Sequence, residues 1–268
     1  MKPTARSYPV APNAVYVWRG FMAAGSTYAR FAQFLGNVFV PACALLQPQV
    51  GLRAYVPSMV PQERKPAAVP DQTALMFWAT PKAHDAANAA IAVRIYQQLH
   101  GDVYDMTRSK LPEVPDALTS ASGIMVADQP YFVFDQPADW MQGYIDHLVG
   151  ARLASLSPAN FLSAAYDWAS SLRAKQPNGV DGALVSCSAD YVVAWVHSVS
   201  RGTGFQKALD GLQALTTPVL RRNPASLALR AGLWDDWAGL DLTETPCIKI
   251  QFSRPPANSA FPRPRKKR

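Results

Sequence analysis

The feature that most constrains the fold is an order of elements that occurs twice. Val15 to Met22 (VYVWRGFM) is β-branched and aromatic, the composition of a strand. After Gly25-Ser26, apolar residues fall three and four apart through Tyr28, Phe31, Phe34, Leu35, Val38, Phe39, Ala42, Leu45 and Leu46, the period of one helix face. Leu52 to Met59 (LRAYVPSM) and Thr73 to Ala79 (TALMFWA) read as two further strands, separated by a proline-rich loop with the charged cluster Glu63-Arg64-Lys65. Thr80-Pro81 then supplies an N-cap and a proline at the first helical position, which opens a helix from Lys82 to about His100 with Gly101 as its C-cap. Asp102 to Met106 is long enough for a fourth strand, so the order is strand, helix, strand, strand, helix, strand.

A connector with Pro112, Pro115, Ser120, Ser122 and Gly123 follows, and the order recurs. Trp140 to Leu153 reads as a strand, and Ser157-Pro158 repeats the cap-plus-proline device. Phe161, Leu162, Ala165, Trp168, Ala169 and Leu172 mark the face of the helix it opens. Residues 182–199 read as a hairpin turning near Ala189-Asp190, Thr203 to Leu215 as a second helix, and Cys247 to Phe252 (CIKIQF) as the closing strand. Residues 217–246, with Arg221-Arg222, Pro224, Trp234 and Trp237, read as irregular with some helix. The expectation is an α+β fold of two tandem ferredoxin-like (βαββαβ) units, over 14–120 and 121–253, with an arm at 1–13 and a basic, proline-rich tail at 254–268. The face of each sheet turned away from its helices is still apolar and must be covered. Two antiparallel sheets packed face to face as an α+β barrel would cover it, within one chain or across a dimer.

The segment FLGNVFVPACALLQPQVGLRAYVPSM, followed by TALMFWATPKAHDAANAAIAVRIYQQLHGDVYDM, resembles the dimeric α+β barrel superfamily, which includes cofactor-free antibiotic-biosynthesis monooxygenases and haem-degrading enzymes. The resemblance covers residues 14–106 and, more loosely, the second half. It implies two sheets enclosing a cavity, here from tandem units of one chain. No motif of any one member maps residue by residue, so it implies no catalytic residue.

Charge narrows the function classes. The net charge is +7, but residues 253–268 carry six Lys and Arg and no acid, which leaves +1 for residues 1–252. A folded nucleic-acid binder spreads cations along the surface that tracks phosphates, and this body does not. The tail itself, Pro255 to Arg268, is suited to nucleic acid, an anionic membrane or an acidic partner, or to service as a solubilising end. No run of signal-peptide character opens the chain, and the longest apolar stretch, Phe31 to Leu46, is too short and interrupted to span a bilayer, so no transmembrane segment and a cytoplasmic location are expected. Cys43, Cys187 and Cys247 stand far apart without CxxC or nearby His, the pattern of core thiols rather than of a zinc site.

Four histidines are present. In the ferredoxin-like order, His147 lies on the first strand of the second unit and His197 on the third, and these two strands are neighbours. His197 shares its strand face with Tyr191, Val193 and Trp195. The pair is therefore the candidate catalytic base in an apolar cavity, with Trp195 and Tyr191 as ligand contacts; the alternative is that each makes one satisfied hydrogen bond. Trp18, Arg19, Arg53 and Tyr55, on the first unit's strands, are further ligand-contact candidates, an arginine being able to fork a carboxylate or phosphate. His84 with Asp85 reads as local capping, and His100 beside Gly101 as a helix end without a role. Ser200-Arg201-Gly202-Thr203-Gly204 can cradle an anion, although a strand-to-helix turn also needs glycines. No metal-ligand set is written, and no cofactor is specified.

Two functional readings follow. One is binding, or cofactor-independent oxidation, of a small apolar or aromatic metabolite in an α+β-barrel cavity, in a chain that self-associates as a homo-oligomer. The other is a non-catalytic assembly or RNA-binding protein of the tandem ferredoxin-like, CRISPR RNA-processing type, using its basic tail. The near-neutral body and the isolation of Gly232 and Gly239, where that class carries a glycine-rich loop, tell against the second.

Overall fold

The computed structural model describes residues 14–222, apart from Arg64 and scattered positions between 115 and 142, together with the strands Ala228–Arg230 and Lys249–Gln251. The fold is α+β, with two five-stranded sheets. The first has the order β1 (Val15–Gly20), β3 (Gln72–Trp78), β2 (Leu52–Met59), β10 (Lys249–Gln251), β9 (Ala228–Arg230). The second has the order β4 (Pro130–Phe132), β6 (Gly182–Cys187), β7 (Tyr191–Ser198), β5 (Tyr144–Arg152), β8 (Thr216–Arg222). Every described pairing is antiparallel except β9 with β10. The segment that follows Val103 runs antiparallel along the open edge of β1, through bridges at Met22–Tyr104, Arg19–Lys110 and Tyr16–Glu113.

The sheets stack face to face within the one chain. Val17, Val56, Leu75 and Phe77 of the first meet Val149, Leu184, Val193 and Trp195 of the second in a single apolar cluster. Each large side chain so buried is worth roughly 1.5–3 kcal/mol, which is what holds the layers together. Helices cover both outer faces. On the first sheet lie α1 (Tyr28–Phe34), α2 (Val40–Leu46), α3 (Pro81–Ala89), α4 (Ile91–Gln98) and α5 (His100–Val103). On the second lie α6 (Pro158–Lys175), α7 (Thr203–Lys207) and α8 (Asp210–Gln213).

The two N-cap signals act as expected: the Thr80 hydroxyl accepts from Ala83 N and the Ser157 hydroxyl from Asn160 N. Gly101, read as a C-cap, instead lies inside the short helix α5, whose C-cap is Tyr104. Between α1 and α2 the helix widens into a π turn at Leu35–Phe39, just before Pro41, which has no N–H to give to the ladder. With the 3-10 turn Gln47–Val50, this makes one run, Tyr28–Val50, long and apolar enough by composition to cross a membrane, and so longer than the stretch read from sequence. In this fold it lays Phe31, Leu35, Phe39 and Cys43 on the sheet and leaves Arg30, Gln33 and Asn37 exposed. Gly51 ends the run at φ 119°, where a Cβ would sit 2.6 Å from that of Ala83.

Several elements differ from the sequence reading, among them the helix read over Thr203 to Leu215, which is the two short helices α7 and α8. The single helix expected over 82–100 is broken at Ala90, whose ψ of 132° is extended. Asp102 and Val103 are helical, and the fourth-strand position beside β1 is reached only by the bridges from Tyr104 onward. The strand beside β5 is β8, from the stretch read as irregular, whereas Lys249–Gln251 pairs with β2 of the first sheet. Pro218 hid β8 by denying it a donor; it sits opposite Gly150, where the register shifts.

Candidate functional site

A β-bulge shapes the first sheet's outer face. Leu52 pairs with Trp78 and Ala54 with Phe77, so Arg53 is the extra residue, and Leu52 and Tyr55 fall on one face instead of alternating. That face also receives Trp18 from β1 and Gln72, Met76 and Trp78 from β3. The helices bring Phe39 and Cys43, then His84 and Asn88 from α3, Tyr96 and Gln97 from α4, and His100 from α5, with Tyr104 beyond it. Together they line a cavity of about 480 Å³.

Its chemistry is aromatic and uncharged. No Asp, Glu, Lys or Arg is among the lining residues. Burial pushes the Tyr55, Tyr96 and Tyr104 phenols well above the ordinary range, so all three remain O–H donors. The Tyr104 hydroxyl donates to Gln72 Oε1 at 2.7 Å, the Tyr96 hydroxyl to the Phe39 carbonyl at 3.4 Å, and Cys43 Sγ to Gln47 Oε1 at 2.9 Å. The Cys43 thiol is likewise held protonated by burial.

Two histidines face this space, both pushed below the usual imidazole pKa by burial. His100 stands among four rings: Phe39, Tyr96, Tyr104 and Trp18, at centroid distances of 4.6, 5.0, 5.6 and 5.9 Å. Its Nδ1 lies 3.0 Å from the Gln97 carbonyl oxygen. His84 stacks on Tyr16 at 3.9 Å and takes a hydrogen bond from Asn88 Nδ2 at 3.3 Å, while Asn88 Oδ1 accepts from Gln97 Nε2 at 2.7 Å. Its other nitrogen lies 3.7 Å from the exposed carboxylate of Asp85, the contact read as capping.

The eight residues singled out from sequence divide between two places. Trp18 and Tyr55 line the cavity, and Arg53 sits at the bulge. The other five lie at the contact between the sheets. Register puts His147 opposite Trp195 and His197 opposite Ile145, so both histidines face the first sheet from neighbouring strands. His147 is fully buried and stacked on Trp195 at 4.7 Å and 7°. Its Nδ1 donates to the Ala194 carbonyl, and its Nε2 takes the Thr73 hydroxyl at 3.1 Å. Burial lowers its pKa to about 4. His197 Nδ1 is 2.6 Å from Asp181 Oδ1, and its ring lies beside Trp140. The two imidazoles thus have separate partners. Arg19 is buried and reaches across to Asp128 Oδ1 at 2.7 Å, to the Asp128 carbonyl at 3.0 Å and to Ser186 Oγ at 3.4 Å. Tyr191 is buried next to it, and burial raises its phenol pKa.

The turn at Ser200–Gly204 leads from β7 into the five-residue helix α7, where a Cβ on Gly204 would come 2.7 Å from the Asn178 carbonyl, so the glycine serves packing. A shallower groove of about 510 Å³ lies outside α6, lined by Trp168, Lys175 and Lys207 among others. Among the described residues, no three His, Cys, Asp or Glu converge as metal ligands. The tail at 254–268, Cys247, Trp234 and Trp237 lie outside the described residues.

Sequence reasoning passed over His84, His100, Tyr96, Tyr104, Gln72 and Trp78. One signal was available: Tyr96, His100 and Tyr104 are spaced by four, which puts their rings on one side of a helical segment.

No family model matches the chain, and no curated protein matches it. Three solved structures align with it at low similarity. One is described as a "putative monooxygenase" from Lactobacillus acidophilus, with 10% identity over 79% of this chain and 94% of that one, and a TM-score of 0.32. The second is an anthrone oxidase-like protein, with 10% identity, 84% and 95% coverage, and a TM-score of 0.34. The third is a "putative monooxygenase" from Fusobacterium nucleatum, with 6% identity, 78% and 93% coverage, and a TM-score of 0.31. At such identities and TM-scores the cavity's own residues, not these likenesses, carry the functional reading.

Proposed function

We propose that the cavity between the first sheet and its helices binds a small, uncharged aromatic molecule. The observation that carries this is the lining itself: Trp18, Phe39, Tyr55, Trp78, Tyr96 and Tyr104 supply ring surface, and no charged side chain is present to pair with a carboxylate or phosphate. Burying an unpaired anion there would cost several kcal/mol, whereas an uncharged ring gains from desolvation and ring contacts. Oxidation of the bound molecule by dioxygen is the reaction to which the reading extends. A methylene that first gives a proton to the neutral imidazole of His100 on the cavity wall becomes electron-rich enough to react with O2 directly; CH2 plus O2 then gives C=O plus H2O, and the imidazolium returns its proton to the departing water.

The same proposal takes the two sheets as duplicated βαββαβ units closing an α+β barrel. The order β8-β5-β7-β6 supports it, as does the order β1-β3-β2 with the Tyr104–Glu113 segment on the free side of β1. In this arrangement β4 and the β10–β9 pair are additions at the far edges.

Calorimetric titration with 2-naphthol and 2-naphthoate tests the binding claim. Saturable binding of the naphthol, with the carboxylate at least tenfold weaker, is the expected result. Equal or tighter binding of the carboxylate, or no binding of the naphthol, would overturn it.

A further inference from the structure

We infer that His100 determines which aromatic molecules enter the cavity, by accepting a hydrogen bond from a hydroxyl on the ligand. The inference rests on the aromatic-ligand reading above and narrows it to phenols and enols. A carbonyl oxygen can only accept, so the 3.0 Å contact between His100 Nδ1 and the Gln97 carbonyl places the ring hydrogen on Nδ1. Nε2 is then left with its lone pair. The surrounding rings of Phe39, Tyr96, Tyr104 and Trp18 hold the imidazole in place, and their apolar surface keeps it neutral.

The hydrogens of the neighbouring polar groups are committed elsewhere, which leaves this acceptor to a ligand. The Tyr104 and Tyr96 hydroxyls and the Cys43 thiol already donate to partners of this chain. The titratable groups that line the cavity with His100 are Tyr55 on β2, Tyr96 on α4, Tyr104 after α5 and Cys43 on α2, each kept protonated by burial, and His84 on α3, whose pKa burial also lowers and whose Nε2 is already taken by Asn88; Asp102, on α5 itself, is exposed. A ligand hydroxyl placed at Nε2 would satisfy the imidazole and could pass its proton there when the ring reacts. An ether at the same position offers no hydrogen and leaves the lone pair buried and unpaired.

The test compares 2-naphthol with 2-methoxynaphthalene, which keeps the oxygen as an acceptor and loses the donor. Wild type should bind the naphthol about tenfold more tightly, the worth of one buried hydrogen bond. In H100F, which preserves an aromatic ring, the preference should fall to about one, with the ether's affinity little changed. In wild type it should also decline as the pH is lowered, because protonated His100 has no lone pair to offer. A preference that survives in H100F, or that is absent in wild type although both ligands bind, would overturn the inference and leave the cavity reading standing. Failure of both ligands to bind would overturn the cavity reading, and this inference with it. Should H100F fail to fold, the acidification series decides: a declining preference supports the inference, and one that is constant down to the acid limit of the fold overturns it.

Discussion

Thr73 on the first sheet and His147 on the second are joined side chain to side chain, Oγ1 to Nε2 at 3.1 Å, in the middle of the contact between the two layers. His147 Nδ1 is committed to the Ala194 carbonyl, so Nε2 must accept and the Thr73 hydroxyl must donate. Both residues are fully buried. T73V keeps the shape and removes the donor, and should destabilise the fold by about 1–3 kcal/mol, read from urea unfolding. No change in the unfolding midpoint would show that the bond contributes nothing.

Neighbouring residues on β5 respond to acid in opposite senses. The folded-state pKa of His147 is lowered by burial to about 4, below its unfolded value. As pH falls from about 6.5 to about 4, the unfolded chain takes up a proton that the folded chain does not, and stability is lost. Asp146 points the other way, to the helix side, where burial raises its pKa to about 6 against the pull of Arg221 Nη2 at 2.8 Å. Here the folded chain takes up the proton first, so stability is gained on acidification and lost as pH rises through about 6. The two offset each other in the wild type. D146N should therefore lose about 3 kcal/mol more than wild type between neutral pH and pH ~4, at about 1.4 kcal/mol for each tenfold difference in proton affinity between the folded and unfolded carboxylate. Parallel pH profiles for the two proteins would refute the assignment.

The ion pair between Arg19 and Asp128 is lopsided, with 2% of the arginine side chain exposed against 62% of the aspartate. Asp128 also sits at φ 68°, a conformation Asn tolerates. D128N should cost roughly 2 kcal/mol because it leaves a buried guanidinium without its countercharge, although the Asp128 carbonyl and Ser186 contacts persist, while R19M removes that cation and should cost less, about 1 kcal/mol. Thermal unfolding of the two variants checks the order, and R19M proving the more damaging would contradict it.

Gly20 packs against two rings of the cavity wall. A Cβ there would lie 2.5 Å from Trp18 Nε1 and 2.6 Å from Tyr104 Cε1. G20A should push both rings into the cavity, costing about 1–3 kcal/mol of stability and at least tenfold in naphthol affinity. Unchanged affinity would mean that these rings do not bound the ligand.

The local signals in the sequence translated well into structure. Thr80-Pro81 and Ser157-Pro158 start helices because side-chain oxygens and a fixed φ act over three residues, and the β6–β7 hairpin needs only adjacent strands. Long-range choices were less legible. Nothing local to Lys249–Gln251 says that it will pair with β2, and β8 carries a proline whose tolerance depends on a register shift in its partner. The cavity was missed for a related reason. The bulge at Arg53 sets which β2 side chains face the helices, and the break at Ala90 turns α4 and α5 so that His100 meets Trp18 and Phe39. Trp18 and Tyr55, which line the cavity, could be singled out because an apolar strand face is visible in sequence. His100 was set aside because its box of rings comes from four separate segments.

The most direct test of the central claim is a nitrogen-15 NMR titration of the full chain with 2-naphthol, following the tryptophan indole N–H signals, assigned by single Trp→Phe variants. Trp18 and Trp78 line the cavity, Trp168 lines the groove outside α6, and Trp195 lies between the sheets. Saturable shifts at Trp18 and Trp78, with Trp168 and Trp195 unmoved, are the expected result. Shifts confined to Trp168 or Trp195, or none at saturating ligand, would contradict it.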